Sequence, residues 1–179
     1  GVTLMLMDPG LDTGPILAQA AIPIGPRDTT GSLTQRLAHL GAEHLIQTLP
    51  AWLRGEIRPQ PQDDAAATYC QPLRKEDGRL DWTDPAATLD RQVRACDPWP
   101  GAFTTWQGRR LKILRVRPRT EWRGAGRPGL VVALEDGAGV VTGAGLLELR
   151  EVQLAGKRAA EIGPFLHGQR DFVGSTLDR

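Results

Sequence analysis

The sequence predicts a short α/β segment followed by a small β-barrel or sandwich. The first part, residues 1–55, combines two strand-like apolar runs with one long amphipathic helix. The second part, from residue 73 onward, contains short β-like runs punctuated by glycine. A proline-rich stretch over residues 56–72 is typical of an extended linker between them. The 179 residues are enough for one ordinary domain or two small ones.

The first two strands are predicted at residues 2–7 and 16–24, where apolar runs flank a loop rich in Gly and Pro. Loops at strand ends hold polar groups on a rigid scaffold, and folds often place chemistry there. Asp12, beside Gly14, is the best catalytic candidate because its carboxylate could take a proton or orient a histidine. The alternative is a purely structural Asx-turn, and Asp8 is predicted to have only that role.

A helix is predicted over residues 32–53, because leucines recur there at near-helical spacing. The run 28–32 supplies its N-cap candidates. Pro50 is expected to kink the helix or to start a new turn, and Gly55 is expected to follow its C-terminus.

The second part begins with a helix predicted to start at Asp84-Pro85 and to stop before Pro98. Several strands are expected after it, and strands of this length with glycine-rich turns favour a small barrel or sandwich. The predicted strands cover residues 101–107, 109–117, 129–134, 138–142 and 145–154.

A basic strand is the second functional signal. The net charge of the chain is only +1, but residues 108–127 hold eight Lys or Arg against one acid, Glu121. A bulge at Ile113-Leu114 would keep the cations on one face, and such a face suits sequence-independent phosphate contacts. The alternative is an ordinary solvated strand. The candidate contacts are Arg109, Arg110, Lys112, Arg115 and Arg117, with Arg74 and Lys75 as additions; Trp99, Trp106 and Trp122 are candidates for base stacking or for the core.

Metal, disulfide and membrane functions find no support in the sequence. Cys70 and Cys96 lack metal-ligand spacing, so a reduced, cytoplasmic setting is expected. His39 and His44 lie about 140° apart around a helix and do not form a metal pair, and His167 is predicted to lie in a turn. No apolar run approaches the roughly 20 residues that cross a bilayer.

Five segments, in order, resemble methionyl-tRNA formyltransferases, and together they cover nearly the whole chain. The first segment is shared with other folate-dependent formyltransferases. The Asp-Pro-Trp-Pro segment and the predicted barrel after it favour methionyl-tRNA formyltransferases among those families. The segments are Gly1–Leu17 with Asp8-x-Gly10-Leu11-Asp12-Thr13-Gly14-Pro15, Asp28-Thr29-x-Gly31-Ser32-Leu33, Tyr69-x-x-Pro72-Leu73-x-Lys75-Glu76-Asp77-Gly78-x-Leu80-Asp81-Trp82, Arg94-Ala95-x-Asp97-Pro98-Trp99-Pro100-Gly101-Ala102, and Leu154-Ala155-Gly156-Lys157-Arg158.

This resemblance implies a fold, an activity and partners. Residues 1–55 would be the α/β remnant of a Rossmann-like formyltransferase domain, 56–72 a linker, 73–173 an OB-like β-barrel and 174–179 a tail. The activity would transfer a formyl group from 10-formyltetrahydrofolate to the amino group of initiator methionyl-tRNA during translation initiation. The resemblance implies a cytoplasmic monomer that uses no metal and does not bind a membrane.

The resemblance also assigns a role to Asp12, which corresponds to the family's catalytic aspartate. Its Asn and His partners belong to an upstream Asn-x-His motif that is missing here, as is the main folate-binding segment. We therefore expect a C-terminal fragment that is inactive alone. Two alternatives are a nucleotide-sugar formyltransferase, which acts on a small amine, and a non-enzymatic RNA-binding module.

Overall fold

The computed structural model describes residues 1–178 and divides into two compact units, with the boundary between Pro72 and Leu73. No helix among the described residues is both long enough and apolar enough to span a bilayer.

Unit 1 is an antiparallel hairpin with one long helix packed on it. Strands β1 (Val2–Met5) and β2 (Ile16–Ala20) pair with Val2 opposite Ala20, and α1 (Thr30–Leu53) contacts both strands. The hairpin and helix match the expected order of elements, with shorter strands than predicted. A Rossmann-like parallel sheet stays a prediction, because residues 1–72 contain this hairpin alone as regular sheet.

The ends of α1 follow from its sequence. Thr29 caps the N-terminus through a reciprocal pair with Ser32, in which each side-chain oxygen accepts the other residue's backbone N–H, at 3.2 and 3.0 Å. The helix continues through Pro50 to Leu53 and does not start a new turn there. Gly55 follows with a φ of +75°, as expected for a helix-ending glycine.

Unit 2 is a curled antiparallel sheet with a barrel-like form. Its strand order is β3-β4-β7-β6-β5, and β8 pairs with β7. The expected helix begins at Ala86, one position later than predicted, while β8 and α3 were not predicted. The elements are α2 (Ala86–Ala95), β3 (Phe103–Trp106), β4 (Arg109–Arg119), β5 (Val131–Leu134), β6 (Gly137–Val141), β7 (Leu146–Leu154), β8 (Ala160–Glu161) and α3 (Ile162–Gly168).

The buried core lies in unit 2, whereas no residue of α1 is buried. Trp106 is 1% exposed and makes edge-on ring contacts with Phe165 and Phe172, at centroid distances of 6.2 and 5.1 Å. Ala86, Leu89 and Val93 of α2 are buried, so the apolar face of that helix packs inward. Burial of apolar side chains therefore stabilises unit 2 more than unit 1.

Residues 174–178, which were predicted to belong to a tail, pair with the two edge strands of this sheet. The N–H of Leu177 donates to the carbonyl of Gly129 beside β5, and the N–H of Asp178 donates to the carbonyl of Thr105 on β3, both at 2.9 Å. Leu177 itself is 3% exposed. The segment pairs with both edge strands because each presents unpaired backbone groups that need partners.

Candidate functional site

The loop of residues 6–15 connects β1 to β2, and Asp8 folds it. Oδ1 of Asp8 accepts a hydrogen bond from the backbone N–H of Gly10 at 3.0 Å and another from the hydroxyl of Thr13 at 2.7 Å. This is the Asx-type turn that the sequence indicates for Asp8.

Asp12 is held in an uncommon backbone conformation. Its φ of 57° lies in the left-handed region, which Asp tolerates better than most side chains. Gly14, two residues on, is buried, and a Cβ there would overlap the carbonyl oxygen of Leu6. Only glycine allows this close approach of the loop to the end of β1. Residues in sparsely populated conformations persist where their surroundings hold them, and they cluster at functional sites.

The Asp12 side chain is exposed and lines an open groove within unit 1. Among residues 1–178, its carboxylate has no hydrogen bond or ion pair, in contrast with the engaged carboxylate of Asp8. A carboxylate in this state can accept or deliver a proton, but it cannot donate hydrogen bonds to an oxyanion. The groove is lined by Leu11, Asp12, Thr13, Ile16, residues 61–64 and residues 66–70.

Gln62 is a contact of this loop that the sequence does not reveal. Its side-chain amide donates to the carbonyls of Asp12 and Gly14 at 2.8 and 2.7 Å. The two partners lie 50 and 48 residues away in the chain, and no motif around Gln62 signals such contacts.

The other titratable candidates show no catalytic arrangement. No cluster of three or more His, Cys, Asp or Glu in the described part of the chain is arranged to hold a metal ion. His39 and His167 are exposed, the latter at the end of α3 and not in the turn predicted for it. Burial raises the pKa of the Cys96 thiol, which keeps it protonated, and Cys70 is an exposed free thiol.

The basic strand β4 contains the irregularity that its sequence predicts. Ile113 lies opposite Val152 and Arg115 opposite Glu151, so Leu114 has no partner in β7. Val116 then lies opposite Leu149, so Arg150 of β7 is also left without a partner in β4 and the register is restored. This bulge keeps the alternating cations exposed on both sides of it. The exposed cations of β4 are Arg109, Arg110, Lys112, Arg115, Arg117 and Arg119.

Two of these cations are engaged with acids of the same sheet. Arg115 pairs with Glu151 at 2.6 Å and with Glu161 at 3.5 Å, and Arg119 pairs with Glu148 at 2.6 Å. The hydrogen bond that Arg115 donates to the carboxylate of Glu151 is the main cause of the raised pKa of Arg115. These guanidinium groups are partly neutralised, which weakens their attraction for phosphate.

The remaining cations of the strand have no carboxylate partner among residues 1–178. Arg110 stacks on the Phe103 ring with 3.7 Å between the guanidinium carbon and the ring centroid, and Lys112 lies opposite Phe103 in the neighbouring strand. Arg117 is exposed at the other side of the bulge. Arg109 donates to the carbonyl of Ala155 at 2.8 Å.

The other predicted nucleic-acid contacts differ in exposure. Trp106 belongs to the core, so it cannot stack on a base, whereas Trp99 is 52% exposed and Trp122 is half-buried. Arg74 and Lys75 are exposed at the start of a 3₁₀ turn, Lys75–Gly78.

Family models match both parts of the chain. A model described as the C-terminal domain of formyl transferases matches residues 72–170, and one described as formyl transferase matches residues 1–49. A methionyl-tRNA formyltransferase of Roseiflexus sp. (strain RS-1) is 48% identical over 177 residues, covering 99% of this chain and 54% of that protein. The chain thus spans about half the length of the curated relatives it matches.

Solved structures with the same fold support the likeness. HypX from Aquifex aeolicus in complex with tetrahydrofolic acid aligns with a TM-score of 0.70 and 23% identity, covering 96% of this chain and 30% of that one. An N-formyltransferase from Helicobacter canadensis, solved with folinic acid and dTDP-3-aminofucose, aligns with a TM-score of 0.62 and 18% identity, covering 82% of this chain and 54% of that one. At these identities the likeness concerns the fold alone.

Proposed function

The chain belongs to the formyl transferase family, and from this we propose that it serves the methionyl-tRNA formyltransferase reaction. In that reaction a formyl group passes from 10-formyltetrahydrofolate to the amino group of initiator methionyl-tRNA. The observation that carries the proposal is the relatedness to proteins of that name, at 42–48% identity over nearly the whole chain. The unengaged carboxylate of Asp12 in its folded loop is consistent with it.

Asp12 would manage protons during this transfer. The attacking amine must lose a proton as it bonds to the formyl carbon, and the departing folate nitrogen must gain one. An exposed carboxylate on a folded loop can orient a basic partner and receive that proton. The tetrahedral intermediate also carries an oxyanion that needs hydrogen-bond donors. The family resemblance assigns those donors to an Asn-x-His motif, and the 179 residues contain no asparagine.

The barrel-like unit would hold the tRNA through its basic strand. Arg110, Lys112 and Arg117 are the contacts we propose on β4, because they are exposed and have no acidic partner in the described part of the chain. Such cations bind phosphates independently of sequence. Arg74, Lys75 and Arg109 remain candidates, with Trp99 as a base-stacking platform.

The proposed reaction also suggests where the protein acts and how its parts are organised. We propose that the protein acts in the cytoplasm, where translation initiation takes place, as a monomer that binds initiator methionyl-tRNA and needs no metal cofactor. We further propose a catalytic part over residues 1–55, a connector over 56–72 and an OB-like domain from residue 73 that includes the closing segment 174–178.

A chimera tests this function. The segment of the Roseiflexus methionyl-tRNA formyltransferase that matches this chain is replaced by the 179 residues, and the product is assayed with 10-formyltetrahydrofolate. We expect formylation of methionyl-tRNA and none of a dTDP-linked amino sugar. The 179-residue chain assayed alone is expected to show no turnover above a blank. It contains no Asn-x-His motif to donate hydrogen bonds to the oxyanion of the tetrahedral intermediate.

Two results would contradict the proposal. Turnover of the amino sugar without turnover of methionyl-tRNA would indicate a nucleotide-sugar formyltransferase. A folded chimera that binds tRNA but formylates neither amine would favour a non-enzymatic RNA-binding module. The unmodified Roseiflexus enzyme is the positive control in both assays.

A further inference from the structure

The segment that follows α1 returns to the Asp12 loop and pairs with it. The backbones of Gln60 and Ile16 exchange two hydrogen bonds, each 2.8 Å long. Ile16 is the first residue of β2, immediately after the loop. This pairing places residues 60–62, here called the strap, alongside the loop and within the same unit.

From the strap, the Gln62 side chain crosses to the loop backbone. One nitrogen, Nε2, donates to the carbonyl oxygens of both Asp12 and Gly14, at 2.8 and 2.7 Å. A primary amide has two N–H donors, and this geometry uses both. The two carbonyls belong to the residue in the left-handed conformation and to the glycine that fits closely against Leu6.

We propose that Gln62 is a positioning residue for Asp12, an inference that rests on the proposed formyl transfer. By bridging the carbonyls on either side of Thr13, it holds the backbone that carries the Asp12 carboxylate. Asp8 folds the loop from within, whereas Gln62 fixes it from outside. Misplacing a reacting group by about 1 Å can lower a rate on the order of 100-fold, so a single bridge of this kind can matter for catalysis.

Local exchange measurements on the 179-residue chain test the bridge without any activity. Gln62→Met keeps the length of the side chain and removes both donors. We expect backbone amides of residues 8–16 to exchange with deuterium at least about tenfold faster, with amides of unit 2 unchanged. Gln60→Met is the matched control, since Gln60 pairs through its backbone, and Gln62→Lys should restore slow exchange because an ammonium can donate to both carbonyls.

Kinetics in the chimera test the catalytic consequence. Gln62→Met should lower kcat about 10- to 100-fold while KM for methionyl-tRNA changes less than about threefold, because the residue acts on the carboxylate and not on the tRNA. Gln62→Lys should recover most of the rate, and Gln60→Met should match the parent.

The outcomes separate this inference from the proposed function. Unchanged loop exchange in Gln62→Met, or unchanged kcat in an active chimera, would overturn the positioning role and leave formyl transfer intact. Faster loop exchange together with an inactive parent chimera would contradict the proposed function, and the positioning role with it, while the bridge itself would stand as a structural contact.

Discussion

Gly14 is the residue on which the geometry of the Asp12 loop depends most directly. A Cβ at this position would overlap the carbonyl oxygen of Leu6, so any side chain would collide with a backbone atom. Backbone cannot move aside as a flexible side chain can, so the loop itself would have to shift.

Gly14→Ala should therefore displace Asp12 and impair the chimera. We expect a loss of at least about tenfold in kcat, in line with the cost of a displacement of about 1 Å. Gly41→Ala in α1 is the control, because a Cβ there meets its nearest atom, Cγ1 of Val2, at an ordinary 3.8 Å. Equal rates for the two variants in steady-state assays would show that the close approach does not position Asp12.

Asp28, just before α1, makes the stability of unit 1 depend on pH. It accepts a hydrogen bond from the backbone N–H of Gly25 at 2.6 Å and pairs with Arg36. The Gly25 hydrogen bond is the largest cause of the lowered pKa of Asp28. A carboxyl with a lowered folded-state pKa stabilises the fold fully above its unfolded value, and this contribution disappears as pH falls through the folded value.

Asp28→Asn should consequently remove part of the acid sensitivity of α1. Urea titrations followed by circular dichroism at 222 nm, at pH 7 and at about pH 3, should show a smaller pH-dependent difference in the variant than in the parent. Asp136→Asn, at an exposed hairpin turn, is the control. An identical pH dependence in all three proteins would contradict a role for Asp28.

The closing segment 174–178 is the element that pairs with both edge strands of the curled sheet in unit 2. Leu177 is buried in the core of unit 2, so Leu177→Ala should lower the free energy of unfolding by about 2–4 kcal/mol, as for other large-to-small core changes. Val173→Ala, at a position 38% exposed, is the control. Thermal unfolding in which Leu177→Ala costs no more than the control would show that the segment does not close the core.

Strand β4 contains two kinds of cation: some are ion-paired with carboxylates, and others are available to bind phosphate. Arg117→Gln should reduce the slope of log K against log salt for tRNA binding by about 1. The double variant Arg115→Gln/Glu151→Gln removes an ion pair at constant net charge and should leave that slope unchanged. Filter binding of tRNA by the 179-residue chain measures the salt slope of each variant. A smaller slope in the double variant, with no change in Arg117→Gln, would indicate that the ion-paired cations contact the tRNA.

At the scale of the whole molecule, local signals in the sequence predicted most elements but few long-range contacts. The strands, α1 and the β4 bulge follow from periodicity and turn residues that lie close together in the chain. The pairing of Arg115 with Glu151 depends on the register between β4 and β7. The hydrogen bond from Leu177 to Gly129 depends on which strands lie at the edges of the sheet. The hydrogen bond from Gln62 to Asp12 joins residues that lie 50 positions apart in the chain. None of these contacts leaves a local pattern.

The proposed catalytic role of Asp12 rests on two independent observations, the conformation of its loop and the family relationship. Asp12 stands out because of its φ of 57° and its unengaged carboxylate, but a lone carboxylate in a loop would not by itself indicate formyl transfer. The proposed reaction rests on the family relationship, and the loop geometry shows a residue able to take part in it.

The most direct test of the account is kcat for methionyl-tRNA formylation by the chimera carrying Asp12→Asn. The amide has nearly the same size but cannot accept the proton, so we expect a loss of at least about 100-fold, within the range typical of a lost general base. Asp136→Asn should leave kcat unchanged. A rate for Asp12→Asn within about threefold of the parent, in a chimera that stays folded, would contradict the central claim that this loop provides the catalytic carboxylate.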